Sequence, residues 1–426
     1  MLGVGRSGPL GRDAEMTAGG STRTASDGLE ERDAWVVLAG AQGVGPVTFA
    51  RLLGTYGSAA AVLRDACAPG AIGRLVDASA APDAPPVLSA ASAVTVVAAA
   101  SDPDRALDAV RRAGVRVVTL PEPVYPARLR RIELPPPVLF VTGQLDALDP
   151  PRAVAIVGTR RPTVVGRATS GRIAEAVGVR GATIVSGLAY GIDAAAHGAA
   201  VRRGVPTIAV IGGGHQHLHP AGHRALAAAI TAGGGAIVSE FAPDVTPSRG
   251  TFPRRNRIIS GMSDATIVVE AGARSGALTT AAWALEQGRS LFLVPGRLDD
   301  PAVAGSLAFL REAGPEAKIV AGIAELVEDL GLDVPEPLAT PGGLPGLGEA
   351  EASVAAALEG GAGSPDELVL ETGLSGATVL AALTTLELRG MVVEVMGRYQ
   401  PSGRLADRPR RFTPLVRARP AGRPAA

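Results

Sequence analysis

Six short apolar runs constrain the fold more than any other feature of this chain. They occupy residues 154–157, 184–185, 207–211, 236–238, 265–269 and 291–294. Each is nearly continuous, with little apolar–polar alternation. A strand of that kind is covered on both faces, as parallel strands between two helical layers are. Helical patterns lie between most of them, at 166–179, 191–203, 223–232 and 275–287. The alternation predicts an α/β fold: an extended Rossmann-like, doubly wound parallel sheet. Ligands of such sheets sit outside the carboxyl ends of the strands.

The turns at those ends are rich in anion-binding residue types. Gly158-Thr159-Arg160 follows the first run and Ser186-Gly187 the second; Gly212-Gly213-Gly214 follows the third and Ser239-Glu240 the fourth. Glu270 ends the fifth, and Arg274-Ser275-Gly276 opens the next helix. Backbone N–H groups at a helix start, with a hydroxyl and a guanidinium nearby, suit phosphate. None of these turns reads Gly-x-Gly-x-x-Gly or ends in Gly-Lys-Ser/Thr. Neither NAD nor ATP is therefore supported, and no cofactor is expected.

Charge must act locally, because 41 basic residues balance 41 acidic ones. The basic side is almost all arginine, with Lys318 the only lysine. Arg249, Arg254, Arg255 and Arg257 crowd a segment that reads as a loop, with Phe252 and Asn256 among them. Arginine beside an aromatic ring suits single-stranded nucleic acid, which needs charge for phosphates and a ring face for bases. The same arginines can also pair with Glu240, Asp264 or Glu270 and organise the fold, so a division between the two roles is expected. Glu240 and Glu270 are open to two readings, an acid/base pair at the rim or anchors of loop backbone. Ser186 lies outside any Gly-x-Ser-x-Gly elbow, which argues against nucleophilic hydrolysis.

Four of the five histidines, His215, His217, His219 and His223, fall within nine residues. No cysteine is near, and the segment follows three glycines rather than forming an extended strand, so no metal is expected. Cys67, the only cysteine, allows no disulfide framework. The amino-terminal stretch has no apolar run of signal-peptide type, and residues 87–100 are too short and polar to span a bilayer. A cytoplasmic protein with no membrane partner is expected.

The flanks divide the rest. Residues 1–31 read as a disordered tail and 32–80 as a helical module of SAM or helix-hairpin-helix type. Its Gly43-Val44-Gly45 turn either holds a DNA phosphate or only reverses the chain. Residues 87–335 form the extended Rossmann-like domain, with its core at 150–335; strands are expected at 94–97 and 115–120, and a helix at 104–113. A linker at 336–348 leads to a winged helix at 349–401, with Ser364, paired with Glu367, and Ser375 as helix caps. A basic disordered tail at 402–426 carries seven arginines and one aspartate from Arg404 on.

Several motifs in fixed order resemble the DprA/Smf family of DNA-processing proteins. They are Val154-Ala-Ile-Val-Gly-Thr-Arg160, Val185-Ser-Gly-Leu-Ala-Tyr-Gly-Ile-Asp-Ala-Ala-Ala-His197, Phe252-Pro-Arg-Arg-Asn-Arg-Ile-Ile-Ser-Gly261, Val269-Glu-Ala-Gly-Ala-Arg-Ser-Gly-Ala-Leu-Thr-Thr-Ala281 and Val294-Pro-Gly296. Tyr125-Pro126 and Pro136-Pro137-Val138-Leu139 fit the same pattern. The resemblance implies a non-enzymatic recombination mediator that binds single-stranded DNA, dimerises and loads RecA. It implies that Arg160, Arg249, Phe252 and Arg255 lie on a DNA groove, and that Gly158, Thr159, Ser186, Gly187, Ser275 and Gly276 build its rim. Asn256 and Arg274 are expected to join them. The chain departs from the family at Gln216, His219-Pro220 and His223, where Asp, Tyr-Pro and Asn are usual, and at Gly305-Ser306-Leu307 in place of Gly-x-Asn. The rival reading is a nucleotide phosphoribohydrolase of the lonely-guy type, which uses an Arg and a Glu on the same rim. A winged-helix transcription factor is disfavoured, because the predicted recognition helix has Arg389 only at its end, with Glu387 and Glu394 nearby.

Overall fold

The computed structural model describes residues 29–248, 250–332, 347–395, 397–402 and 405. They fall in two compact units that divide after Asp333. Nearly all of the expected tail at 1–31, linker at 336–348 and tail at 402–426 lies outside the described residues.

The first unit opens with six helices: α1 Glu31–Gly40, α2 Pro46–Tyr56, α3 Ala59–Ala66, α4 Ala71–Ala78, α5 Ala90–Ser101 and α6 Pro103–Ala113. Trp35, Leu38, Phe49, Leu52, Leu63, Leu75, Val96 and Leu107 share one apolar core. That core runs from residue 34 through α4 and Leu88 into α5 and α6, and Val138 and Phe140 of the neighbouring sheet close it. The strand expected at 94–97 is instead the middle of α5. Ser89 caps the helix by accepting the N–H of Ser92, and Ala93, Val96 and Ala100 bury one side of it. The β-branched residues sit in an alanine-rich stretch, and helical burial spacing overrides their strand preference.

α5 also fills the glycine hairpin between α1 and α2. Gly43 has φ +89°, and a Cβ there would stand 2.1 Å from Ser92 Oγ. Thr95 Oγ1 donates to the carbonyl of Gln42 at 2.7 Å. The hairpin is thus seated on a neighbouring helix.

The chain then builds the sheet. β1 is Arg116–Thr119, α7 Ala127–Arg130, β2 Val138–Gly143, β3 Ala153–Val157, α8 Val164–Gly178, β4 Thr183–Ser186, α9 Ile192–Arg202 and β5 Thr207–Val210. α10 Arg224–Ala232, β6 Ala236–Ser239, α11 Thr251–Gly261, β7 Ala265–Val268, α12 Gly276–Glu286, β8 Ser290–Leu293, α13 Ala304–Ala313, β9 Ala317–Ile319 and α14 Ile323–Asp329 complete it. The order is β1-β2-β6-β5-β4-β3-β7-β8-β9. All neighbours from β6 to β9 are parallel, whereas β2 runs antiparallel to β6 and β1 to β2. The six expected strands are present, and further strands extend them at both edges. Alternate residues face opposite layers: Val157, Val185 and Val268 pack with α11 and α12, while Ile156, Ile184 and Ile267 pack with α8 and α9.

The chain winds from β3 out to β6, then returns to β7 on the other side of β3. That reversal opens a crevice at the carboxyl ends of β3 and β7. The segment expected as a loop around Phe252 is the helix α11. Pro253 is its third residue, where its missing N–H costs no helical bond.

The second unit is a winged helix: α15 Glu349–Gly360, α16 Pro365–Thr372, α17 Gly376–Leu388, β10 Val392–Val395 and β11 Arg398–Pro401. Ser364 and Glu367 form the expected capping box, and Ser375 caps α17. The exposed side of α17 includes Ala377, Leu380, Ala381, Thr384 and Leu388, with no basic residue before Arg389. Among the described residues, no single helix is long and apolar enough to cross a membrane.

Candidate nucleic-acid interface

A cleft of about 950 Å³ opens at the crevice. Its walls are the turn after β3, the start of α11 and the start of α12. Gly158 is required for the first wall, because a Cβ there would approach Ile192 Cγ1 to 2.6 Å and the Glu270 carbonyl to 2.9 Å. The N–H of Thr159 donates to that same carbonyl at 2.7 Å, and the Thr159 carbonyl accepts from Ile192 at 3.3 Å. Thr159 Oγ1 accepts the N–H of Arg161 at 3.3 Å. With the turn pinned, Arg160 stands exposed above the cleft, its guanidinium carbon 5.2 Å from the centre of the half-buried Phe252 ring. This is within cation–π range.

The opposite wall is fixed by capping. Ser275 is the N-cap of α12, and its Oγ accepts the N–H of Ala277 at 3.3 Å. Asn256 Nδ2 donates to the carbonyl of Gly276 at 3.1 Å, which ties α11 to α12. Gly276 and Arg274 are exposed at the opening.

Three expected residues have other placements. Ser186 is fully buried, and its hydroxyl donates to the Ile156 carbonyl at 2.6 Å. The N–H of Gly187 is taken by Asp193 Oδ2 at 3.1 Å. Arg255 lies beneath the cleft floor, 6% exposed. Its Nη1 donates to the carbonyls of Val210, at 2.8 Å, and of Gly187, while Nη2 is 3.9 Å from Asp193 Oδ2. A side chain at Gly187 would strike this guanidinium, since its Cβ would lie 2.3 Å from Nη2. Burial pushes Arg255 down to about 10; Asp193 opposes the shift and Arg160 adds to it. Burial likewise raises the Asp193 carboxyl, against Arg255 and the N–H groups of Ala189 and Gly187. Arg255 thus fastens the ends of β4 and β5 from inside. Arg249 lies outside the described residues.

The acids of the rim are consumed internally. Glu270 accepts the N–H of Thr163 at 2.9 Å and the Thr163 hydroxyl, holding the start of α8. Glu240 pairs with Arg257, which also donates to the Leu134 carbonyl at 2.6 Å, and lies 3.9 Å from exposed Arg254. Desolvation raises the Glu240 carboxyl, and Arg257 counters it. Among the described residues, the cleft is lined at its opening by Arg160, Arg161 and Arg274, with Arg255 and the one acid, Asp193, buried at its floor. A neutral chain therefore presents a basic opening. Arg161 was absent from the sequence expectation, although it follows Arg160 directly.

The histidines do not converge; among the described residues no three potential ligands form a metal cluster. His215 Nε2 lies 3.2 Å from the Ile237 carbonyl, and burial lowers the ring to about 4. His219 sits 5.7 Å from Phe252, ring centre to ring centre.

Fold and site together define a Rossmann-type α/β protein with a rim suited to a polyanion and a separate winged-helix unit. The family described as DNA recombination-mediator protein A matches residues 116–331. A DprA-like N-terminal helix-hairpin-helix domain matches 29–68, and a DprA winged helix domain 338–398. The chain belongs to the DprA/Smf family of DNA-processing proteins. It is 39% identical over 226 residues to DNA processing protein DprA of Bacillus subtilis, covering 53% of this chain and 75% of that one. It is also 39% identical over 311 residues to a putative DNA processing protein DprA of Mycobacterium tuberculosis, covering 69% and 79%. The X-ray structure of DprA from Streptococcus pneumoniae superposes with a TM-score of 0.58 at 28% identity, over 71% of this chain and 98% of that one.

Proposed function

We infer that this protein binds single-stranded DNA along the rim and mediates recombination, protecting the strand and delivering it to RecA during DNA uptake or a related exchange. The observation that carries this reading is the division of charge at the cleft. Arg160, Arg161 and Arg274 face outward, whereas Asp193 and Glu270 are buried and the Glu240 carboxylate is turned inward onto Arg257. Exposed guanidinium groups beside Phe252 supply phosphate contacts and a ring for an unpaired base. The reading includes action in the cytoplasm as a homodimer, without cofactor or catalysis; RecA delivery and dimerisation rest on family membership.

Glu270 is spent on the start of α8, which counts against the phosphoribohydrolase reading. The test is direct: a labelled oligothymidylate titrated at low salt binds wild type, and Arg160→Ala binds it more weakly while remaining folded. Release of free base from nucleoside monophosphates, abolished by Glu270→Gln, overturns the reading in favour of an enzyme.

A further inference from the structure

The aromatic surface of this rim does not end at Phe252. Tyr190 is 52% exposed, outside the cleft, and its ring meets that of His223 edge-on with centres 4.8 Å apart. His223 is held in place, its Nδ1 donating to the Leu188 carbonyl at 2.9 Å. Leu188 is fully buried yet takes φ +56°, a left-handed conformation that a leucine adopts only when its surroundings enforce it. A buried leucine in a strained turn two residues before an exposed tyrosine fixes that tyrosine outward.

Two contacts join this pair to the described rim. Gly191 packs on the Arg160 turn so closely that a Cβ would lie 2.4 Å from the Thr159 carbonyl. The segment from His219 to His223 connects the other way, with His219 against Phe252 at one end and His223 against Tyr190 at the other. Two ring pairs, one holding Phe252 beside Arg160 and one holding Tyr190 next to Gly191, thus share one short loop. This gives His219 and His223 a role that needs no metal.

We propose that Tyr190, backed by His223, is a second stacking platform for an unpaired nucleobase, continuing the single-strand path beyond Phe252. The proposal rests on the single-strand reading of the rim. An exposed ring with a fixed orientation loses little freedom when a base stacks on it, and stacking is indifferent to base identity. The ligand is therefore a flexible strand with exposed bases, and a duplex, whose bases are already stacked, is not expected to use the platform.

The experiment compares two probes on the full chain: an oligothymidylate and an abasic deoxyribose-phosphate oligomer of equal length. Tyr190→Ala is expected to weaken the oligothymidylate on the order of tenfold and to leave the abasic oligomer unchanged. Tyr190→Phe is expected to retain wild-type affinity for both, and Arg160→Ala to weaken both. An equal loss on both probes in Tyr190→Ala, or no loss on either, overturns the platform while the Arg160 result leaves the single-strand reading intact. Unchanged affinity with an altered sedimentation coefficient assigns the surface to a second copy of the chain and also overturns it. Failure of wild type to bind either probe removes the single-strand reading and the platform together.

Discussion

Two glycine turns in the first unit start out alike and end differently. Gly43-Val44-Gly45 leads into α2, and Gly158-Thr159-Arg160 caps β3 at the rim; by sequence each reads as a turn with backbone N–H groups near a helix. At the hairpin, α5 occupies the space, with Ser92 against Gly43 and Thr95 on the Gln42 carbonyl. At the rim, the glycine brings Ile192 and Glu270 beneath the turn, and the side above it stays open under Arg160. In both places glycine marks a close approach. What approaches decides whether the turn is a joint or a site, and that is set by residues distant in sequence.

The largest effect is expected beneath the rim. Arg255→Ala leaves Asp193 buried without its cation and should cost about 3–5 kcal/mol in urea unfolding. If this variant keeps its stability and loses only DNA affinity, Arg255 belongs with the exposed arginines. Gly43→Ala meets both a positive φ and Ser92, and about 1–3 kcal/mol of destabilisation is expected. Its affinity for single strands, measured on the folded fraction, should match wild type; a drop makes the hairpin a contact site.

Smaller changes sharpen the contrast. Arg160→Ala should weaken oligothymidylate binding by about 1–2 kcal/mol with an unchanged melting temperature, as expected for loss of one exposed charge-assisted contact. Thr95→Ala, with its hydroxyl removed from the Gln42 carbonyl, should cost about 1 kcal/mol of stability. Its binding isotherm should overlay that of wild type.

The central sheet was legible because buried parallel strands write themselves as apolar runs, and residues 154–157 and 265–269 stand within a residue of β3 and β7. Residues 94–97 were misread because a four-residue β-branched run has no periodicity of its own to separate strand from helix. α11 was hidden by Pro253 and the polar run Arg254-Arg255-Asn256-Arg257, which leaves Ile258 and Ile259 without an apolar partner one turn earlier. Exposed Arg160 and Arg274 and the half-buried Phe252 could be read from local motifs. The inward placement of Arg255 and Ser186 could not, because Val210, Asp193, Gly187 and Ile156, which receive them, lie 30 or more residues away along the chain. The pairing of Tyr190 with His223 is hidden for the same reason.

The most direct test of the account is a salt titration of single-strand binding by wild type and Arg160→Ala/Arg274→Ala. The account predicts that the logarithm of the wild-type association constant falls linearly with the logarithm of salt concentration. It also predicts a slope shallower in the double variant by roughly 0.7 for each phosphate contact removed. Absence of wild-type binding at low salt, or an unchanged slope and affinity in the folded double variant, contradicts it.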